Sequence, residues 1–118
     1  MVDYLVGSPL ATRIAERIEN AEVNVPAHFD AEVLSALGRL HRGGDLSDVE
    51  VEERLALTAE APFHRHLLPP LLKGGWALHH NARLVDALYI EMAHQLDATL
   101  VTTDSDMASA SANAEHIE

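Results

Sequence analysis

The sequence predicts an α/β domain, with a parallel sheet flanked by helices. Three observations carry that expectation. Stretches with apolar residues at helical spacing alternate with brief β-prone runs, the pattern of strand–helix–strand crossovers. Residues 84–106, LVDALYIEMAHQLDATLVTTDSD, read as an amphipathic helix, a tight turn, a short apolar strand and an acid just past the strand. Finally, 47% of the 118 residues are apolar, enough for one buried core and against disorder. There is no internal repeat, low-complexity tract or linker, so residues 1–118 are expected to form a single domain.

The elements follow in order. Gly7 closes a short apolar start, and Ser8-Pro9 reads as cap and first residue of a helix running to about Glu19. Residues 23–25 are a brief strand ended by Pro26. Asp30 is expected to cap a helix over residues 31–42, with Val33, Leu34, Ala36, Leu37 and Leu40 inward and Gly43-Gly44 as its stop. Ser47 and Glu50 have capping-box spacing and open a helix to about Ala59. Residues 61–67 alternate as an edge strand that tolerates Pro62. Residues 68–78 carry Pro69-Pro70 and Gly74-Gly75 and read as a short or broken helix, followed by a loop at 79–81. In the helix that follows, Leu84, Leu88, Met92 and Leu96 recur every four residues, flanked by Val85, Tyr89 and Ala93. Asp97-Ala98 makes a turn, residues 99–102 a buried strand, 107–114 a weak helix, and His116-Ile117 a last strand.

Composition narrows the function. Nineteen acids against eight bases give a net charge of −11, which repels nucleic acid on average. A nucleic-acid substrate therefore calls for a local basic patch or metal ions. The chain has no cysteine, hence no disulfide and no thiolate metal site, which fits a reducing cytoplasm. No apolar run reaches the roughly 18 residues of a membrane span, and no charged-then-apolar leader is visible. The expected location is cytoplasmic.

Three acids fall where chemistry gathers in an open parallel sheet, at the carboxyl ends of strands. Glu32 follows the strand at 23–25, Asp86 opens the long helix, and Asp104 follows the strand at 99–102. Carboxylates packed together repel, and protons or a divalent cation must relieve that repulsion. Oxygen-only ligands favour magnesium or manganese, and such a site can activate water against a phosphodiester. Each acid also has a plain structural explanation, since an acid at a helix N-terminus stabilises the helix dipole by ~0.3–1 kcal/mol. Asp86 fits that explanation least well, being flanked by Val85, Ala87 and Leu88.

The same residues carry a family resemblance. The segment LVDALYIEMAHQLDATLVTTD resembles the C-terminal half of PIN-domain ribonucleases of the VapC toxin type, with their D-A-x-Y helix and a strand ending L-V-T-x-D. PAHFDAEVLSALGRL is similar to the family's second acidic motif, a strand running through a proline into a helix bearing E-V-x-x-A-L, and SPLATRIAERI fits the helix before it. The resemblance implies a three-layer fold with a parallel sheet between helices. It matches Glu32, Asp86 and Asp104 to the family's second, third and fourth acids, with Asp106 as a possible accessory. It further implies that these acids hold Mg2+ or Mn2+, that a cation-activated water cleaves RNA, that a small antitoxin lies across the site and in an apolar groove, and that the protein is a homodimer.

One departure stands out. The family begins with a strand ending in an aspartate, V-x-D-A-S, and this sequence starts at what looks like the helix after it. Asp3 matches a position inside that helix and is not carried over as the first ligand. The first strand and first acidic motif are therefore expected to be missing. Two accounts are open: a natural protein with a longer N-terminus, active as a metal-dependent endoribonuclease, or a catalytically impaired remnant acting as an interaction module.

Other candidates are weaker. Arg39, Arg42 and Arg83 are the cations nearest the acids and are possible phosphate contacts. His64 and His66 share a face of a strand and His79-His80 are adjacent, but no complete zinc ligand set accompanies them. His28, His41, His94 and His116 have no evident partner. Trp76, the sole tryptophan, is read as core packing ahead of base stacking, although its loop-rich surroundings can leave it partly exposed. Ser35, Thr102 and Thr103 lack the histidine or lysine that a nucleophilic hydrolase needs.

Overall fold

The structure is a computed structural model that describes residues 22–102 and 114–116. The helix expected up to Glu19, the acids Asp104 and Asp106, and residues 107–113 lie outside the described residues. The chain divides into two compact units. Residues 22–23 and His28–His64 belong to the first; Asn24–Ala27, 65–102 and 114–116 belong to the second.

Among the described residues the first unit holds two packed helices, α1 (Phe29–Arg42) and α2 (Asp48–Glu60). Helix α1 begins one residue before Asp30, the expected cap, and takes His28 as its N-cap without a side-chain cap bond. Phe29 accounts for the shift. It is fully buried, with its ring edge-on to Phe63 at 5.7 Å. Burying a phenylalanine is worth about 2–3 kcal/mol against about 1 for a good cap, so packing sets the boundary. Phe29, Val33, Ala36 and Leu37 form the buried stripe, whereas Leu34, expected inward, is 56% exposed. It lies about 100° around the helix from Val33. At the other end the Gly43 N–H donates to the Arg39 carbonyl, and Gly44 takes φ +82°, so the two glycines do stop the helix.

Helix α2 opens on the expected capping box. The Glu50 N–H donates to Ser47 Oγ at 3.2 Å and the Ser47 N–H donates to Glu50 Oε1 at 3.0 Å. The Ser47 backbone N–H, and after it the Ser47 hydroxyl, holds the Glu50 carboxyl below its ordinary pKa.

In the second unit, β1 (Asn24–Pro26) lies beside β2 (His64–His66), whose first residue belongs to the first unit. The His64 N–H donates to the Val23 carbonyl and the Ala27 N–H to the His66 carbonyl, so both strands advance in step, as in parallel pairing. Pro26, expected to end the strand, is its last residue. Strand nitrogens alternate sides, so the proline nitrogen points away from β2 and removes no bond to it. The edge strand expected over 61–67 shrinks to these three residues of β2.

Helix α3 (Pro69–Ala77) is continuous, not broken. Its prolines occupy the first turn, where no N–H is needed. Its glycines face helix α4 (Leu84–Leu96): a Cβ at Gly74 would run into the Glu91 carboxyl group, and one at Gly75 would come within 3.1 Å of Leu88. The residues that read as breakers are the ones that let two helices approach. Gln95 fastens the pair, its Nε2 donating to the Pro70 carbonyl at 3.0 Å and to Glu91 Oε2 at 2.7 Å.

The inward face of α4 is rotated from the expected one. Asp86, Ala87, Ile90, Met92 and Ala93 are buried, while Leu84, Val85 and Leu96 are exposed. Asp97 closes the helix in the left-handed region at φ 50°, and the Ala98 N–H returns to the Ala93 carbonyl. The chain then enters β3 (Leu100–Thr102), which pairs in parallel with β4 (Ala114–His116), Leu100 opposite Ala114. Ala114 thus opens a strand where the sequence suggested the end of a helix. Ile90, Ala93 and Leu100 form a core cluster with Leu78, Ala82 and Tyr89 against it. No helix among the described residues is long and apolar enough to cross a membrane.

Ser47→Ala removes one half of the capping box. It is expected to destabilise the protein by about 1 kcal/mol at neutral pH, a melting shift of about 4 °C. A depressed folded-state pKa gives stability that is present above the unfolded pKa and lost as pH falls through the folded one. The gap between wild type and Ser47→Ala should therefore narrow in acid. Thermal melts across neutral and acidic pH check both.

Candidate functional site

Asp86 is the best-defined acid of the expected set. It stands in the first turn of α4, on the buried stripe, and is 8% exposed. Carboxylates are rarely so buried without a partner. Arg83, the N-cap residue, supplies one: its Nε donates to Asp86 Oδ2 at 2.8 Å. The arginine side chain is 76% exposed, so the pair spans from solvent to core. Its position is local in origin. A residue three places after the cap sits one turn above it, and an acid there also meets the positive end of the helix dipole.

Glu32 stands in the first turn of α1, in the other unit. Its side chain is 33% exposed and its Oε1 lies 3.5 Å from Nε2 of His28, a contact that becomes an ion pair when the imidazole is protonated. The sequence suggests no partner for His28, His41 or His94, yet His41 Nε2 also lies 2.6 Å from Asp48 Oδ1 and His94 Nδ1 3.7 Å from Glu91 Oε1. For His28 the signal was there: His28 and Glu32 are four apart, hence neighbours on one helix face.

Arg39 and Arg42 lie in the last turn of α1, exposed, about 10 and 15 Å along the axis from Glu32. Arg83 is tied to Asp86. Of the histidines considered for zinc, His66 Nε2 is hydrogen-bonded to Asn24 Oδ1 at 2.8 Å, and His64 is exposed. Among the described residues no group of three or more metal-capable side chains is gathered. Trp76, expected in the core, is instead 60% exposed and stacked on His79.

The donor chemistry of Glu32 and Asp86 suits a hard divalent cation. Both are carboxylates, and the chain offers no thiolate to compete for softer metals. A carboxylate has about four lone-pair sites over two oxygens, so the Arg83 bond to Oδ2 leaves Asp86 capacity as a ligand.

Comparison with known proteins bears on all of this. The PIN domain matches residues 1–113. Ribonuclease VapC3 of Mycobacterium tuberculosis is 42% identical over 111 residues, covering 93% of this chain and 81% of the relative. Ribonuclease VapC1 of the same organism is 31% identical over 112 residues, 93% of this chain and 84% of the relative. Ribonuclease VapC12, also from that organism, is 26% identical over 117 residues, 99% and 91% respectively. A match over nearly the whole length, on a chain whose helices and parallel strands follow the α/β order, leads to one conclusion: the chain belongs to the PIN-domain family and has its α/β fold.

Proposed function

We propose that the chain is a metal-dependent endoribonuclease of the toxin type. Glu32, Asp86 and Asp104 are the ligands of Mg2+ or Mn2+, with Asp106 as an accessory acid. The observation that carries this reading is Asp86: a carboxylate held on the buried stripe of a helix, in a chain similar to proteins named ribonucleases. A divalent cation bound there supplies the Lewis acidity that polarises a phosphodiester and acidifies water.

The chain's own residues do the rest. Arg83 fixes the Asp86 carboxylate by a charge-assisted bond, so its orientation is set before substrate arrives. Glu32 is held at a helix start with His28 beside it. Arg39, Arg42 and Arg83 are assigned to the RNA backbone, since a protein of charge −11 needs local cations to receive phosphates. A cognate antitoxin and a second copy of the chain are the proposed protein partners, and the cysteine-free sequence suits a cytoplasmic setting.

Asp86→Asn should lower Mn2+-dependent RNA cleavage by about a hundredfold or more, while leaving the melting transition in place. Equal rates in variant and wild type would reject the assignment. A wild-type protein that cleaves no RNA yet binds its partner would favour the interaction-module reading instead.

Arg83→Ala tests the positioning role. Arg83 is mostly exposed but Asp86 is 8% exposed, so losing the arginine leaves a buried carboxylate unpaired and should cost more than the about 1 kcal/mol of a surface pair. The cleavage rate should fall about tenfold, as when the group orienting a metal ligand is removed. Urea unfolding and initial rates, measured on one preparation, separate the two effects.

A further inference from the structure

Trp76 is the chain's sole tryptophan and is 60% exposed, yet its indole is held in place. The His79 ring lies flat against it, with centroids 4.0 Å apart and planes 6° from parallel. His79 is in turn fixed: its Nδ1–H and its backbone N–H both donate to the Trp76 carbonyl, at 2.7 and 3.0 Å. The His80 ring follows at 3.9 Å, tilted by 39°. Three aromatic rings thus form a short ladder on the surface where α3 ends.

That ladder stands at a particular place in the second unit. Helices α3 and α4 run antiparallel, with Pro70 against Gln95, Gly74 against Glu91 and Gly75 against Leu88. The rings sit where α3 ends, and residues 81–83 lead from them directly into the first turn of α4, which carries Asp86. The connecting turn is anchored, because Leu78 and Ala82 both pack on the Ile90–Ala93–Leu100 cluster and the Ala82 N–H donates to the Leu78 carbonyl.

The chemistry of the ladder selects its ligand. A chain of charge −11 gains little from long-range attraction to phosphates, whereas stacking on an indole face needs no charge and tolerates any base. His79 stacks on the indole, and Trp76 nevertheless stays 60% exposed. Lys73, exposed one turn earlier on α3, provides a cation beside it. We propose that the Trp76–His79–His80 ladder is a nucleobase-stacking subsite for single-stranded RNA, which lays the strand alongside Asp86. The role given to the strand rests on the ribonuclease reading of Asp86.

Tryptophan emission in this protein reports on Trp76 alone, so the unmodified chain is its own probe. The titration uses a homopolymeric single-stranded oligoribonucleotide of about eight nucleotides, a length within the usual single-strand site size, with EDTA present so that no cleavage occurs. Saturable quenching is expected, since stacking requires no metal. In Mn2+, Trp76→Ala and His79→Ala should raise KM about tenfold with kcat nearly unchanged, and Trp76→Phe should restore most of the loss. Quenching in a protein that fails to cleave RNA would sink the nuclease reading and leave the subsite standing. Three results would overturn the subsite: no oligonucleotide binding, binding by fluorescence anisotropy with tryptophan emission unchanged, or a Trp76→Ala KM equal to wild type. An emission shift that grows with protein concentration, without oligonucleotide, would put a second copy on the ladder and also overturn it.

Discussion

The second unit is organised by the burial of one carboxylate. Asp86 lies on the inward stripe of α4 together with Ala87, Ile90 and Ala93, where an apolar side chain would serve stability better. Charge at such a position is tolerated only with a partner, and Arg83 supplies it from the helix cap. Placing Asp86 inward turns Leu84, Val85 and Leu96 outward, because a helix cannot bury every side. The same rotation brings Gly74 and Gly75 of α3 against Glu91 and Leu88. Acid, helix rotation and glycine contact form one arrangement.

Much of this was legible in the sequence, and the losses have physical reasons. The Ser47–Glu50 box, the Gly43-Gly44 stop and the Asp97 turn are local signals, and local hydrogen bonding decides them. The start of α1 was misplaced because burial of Phe29 against Phe63 overrides the capping preference of Asp30. Helix α3 reads as short or broken, and it is short but unbroken; a break is a live alternative in the sequence because Pro-Pro and Gly-Gly are breakers in isolation. In the fold, the prolines sit where no donor is needed and the glycines where another helix presses close. The apolar face of α4 was read from leucine spacing, which weighs large side chains and overlooks a buried acid.

The site was legible in a different way. Glu32 and Asp86 stand out in the sequence by their place near strand ends and their match to the family's acidic motifs, and each lies in the first turn of a helix, in its own unit with a local partner. His28 has no role in the sequence, and Trp76 and His79-His80 are weighed there separately, for core packing ahead of base stacking and for zinc, not as one stack. His28 needed only the four-residue spacing to Glu32, whereas the ladder depends on how one helix ends, which no periodicity encodes.

The central claim is that Glu32, Asp86 and Asp104, far apart in sequence, share one divalent cation. Electron paramagnetic resonance of Mn2+ titrated into the wild-type protein and into Glu32→Gln, Asp86→Asn and Asp104→Asn tests it most directly. The account expects saturable binding in the wild type and its loss or marked weakening in each of the three variants. Undiminished Mn2+ binding in any one of them would contradict it.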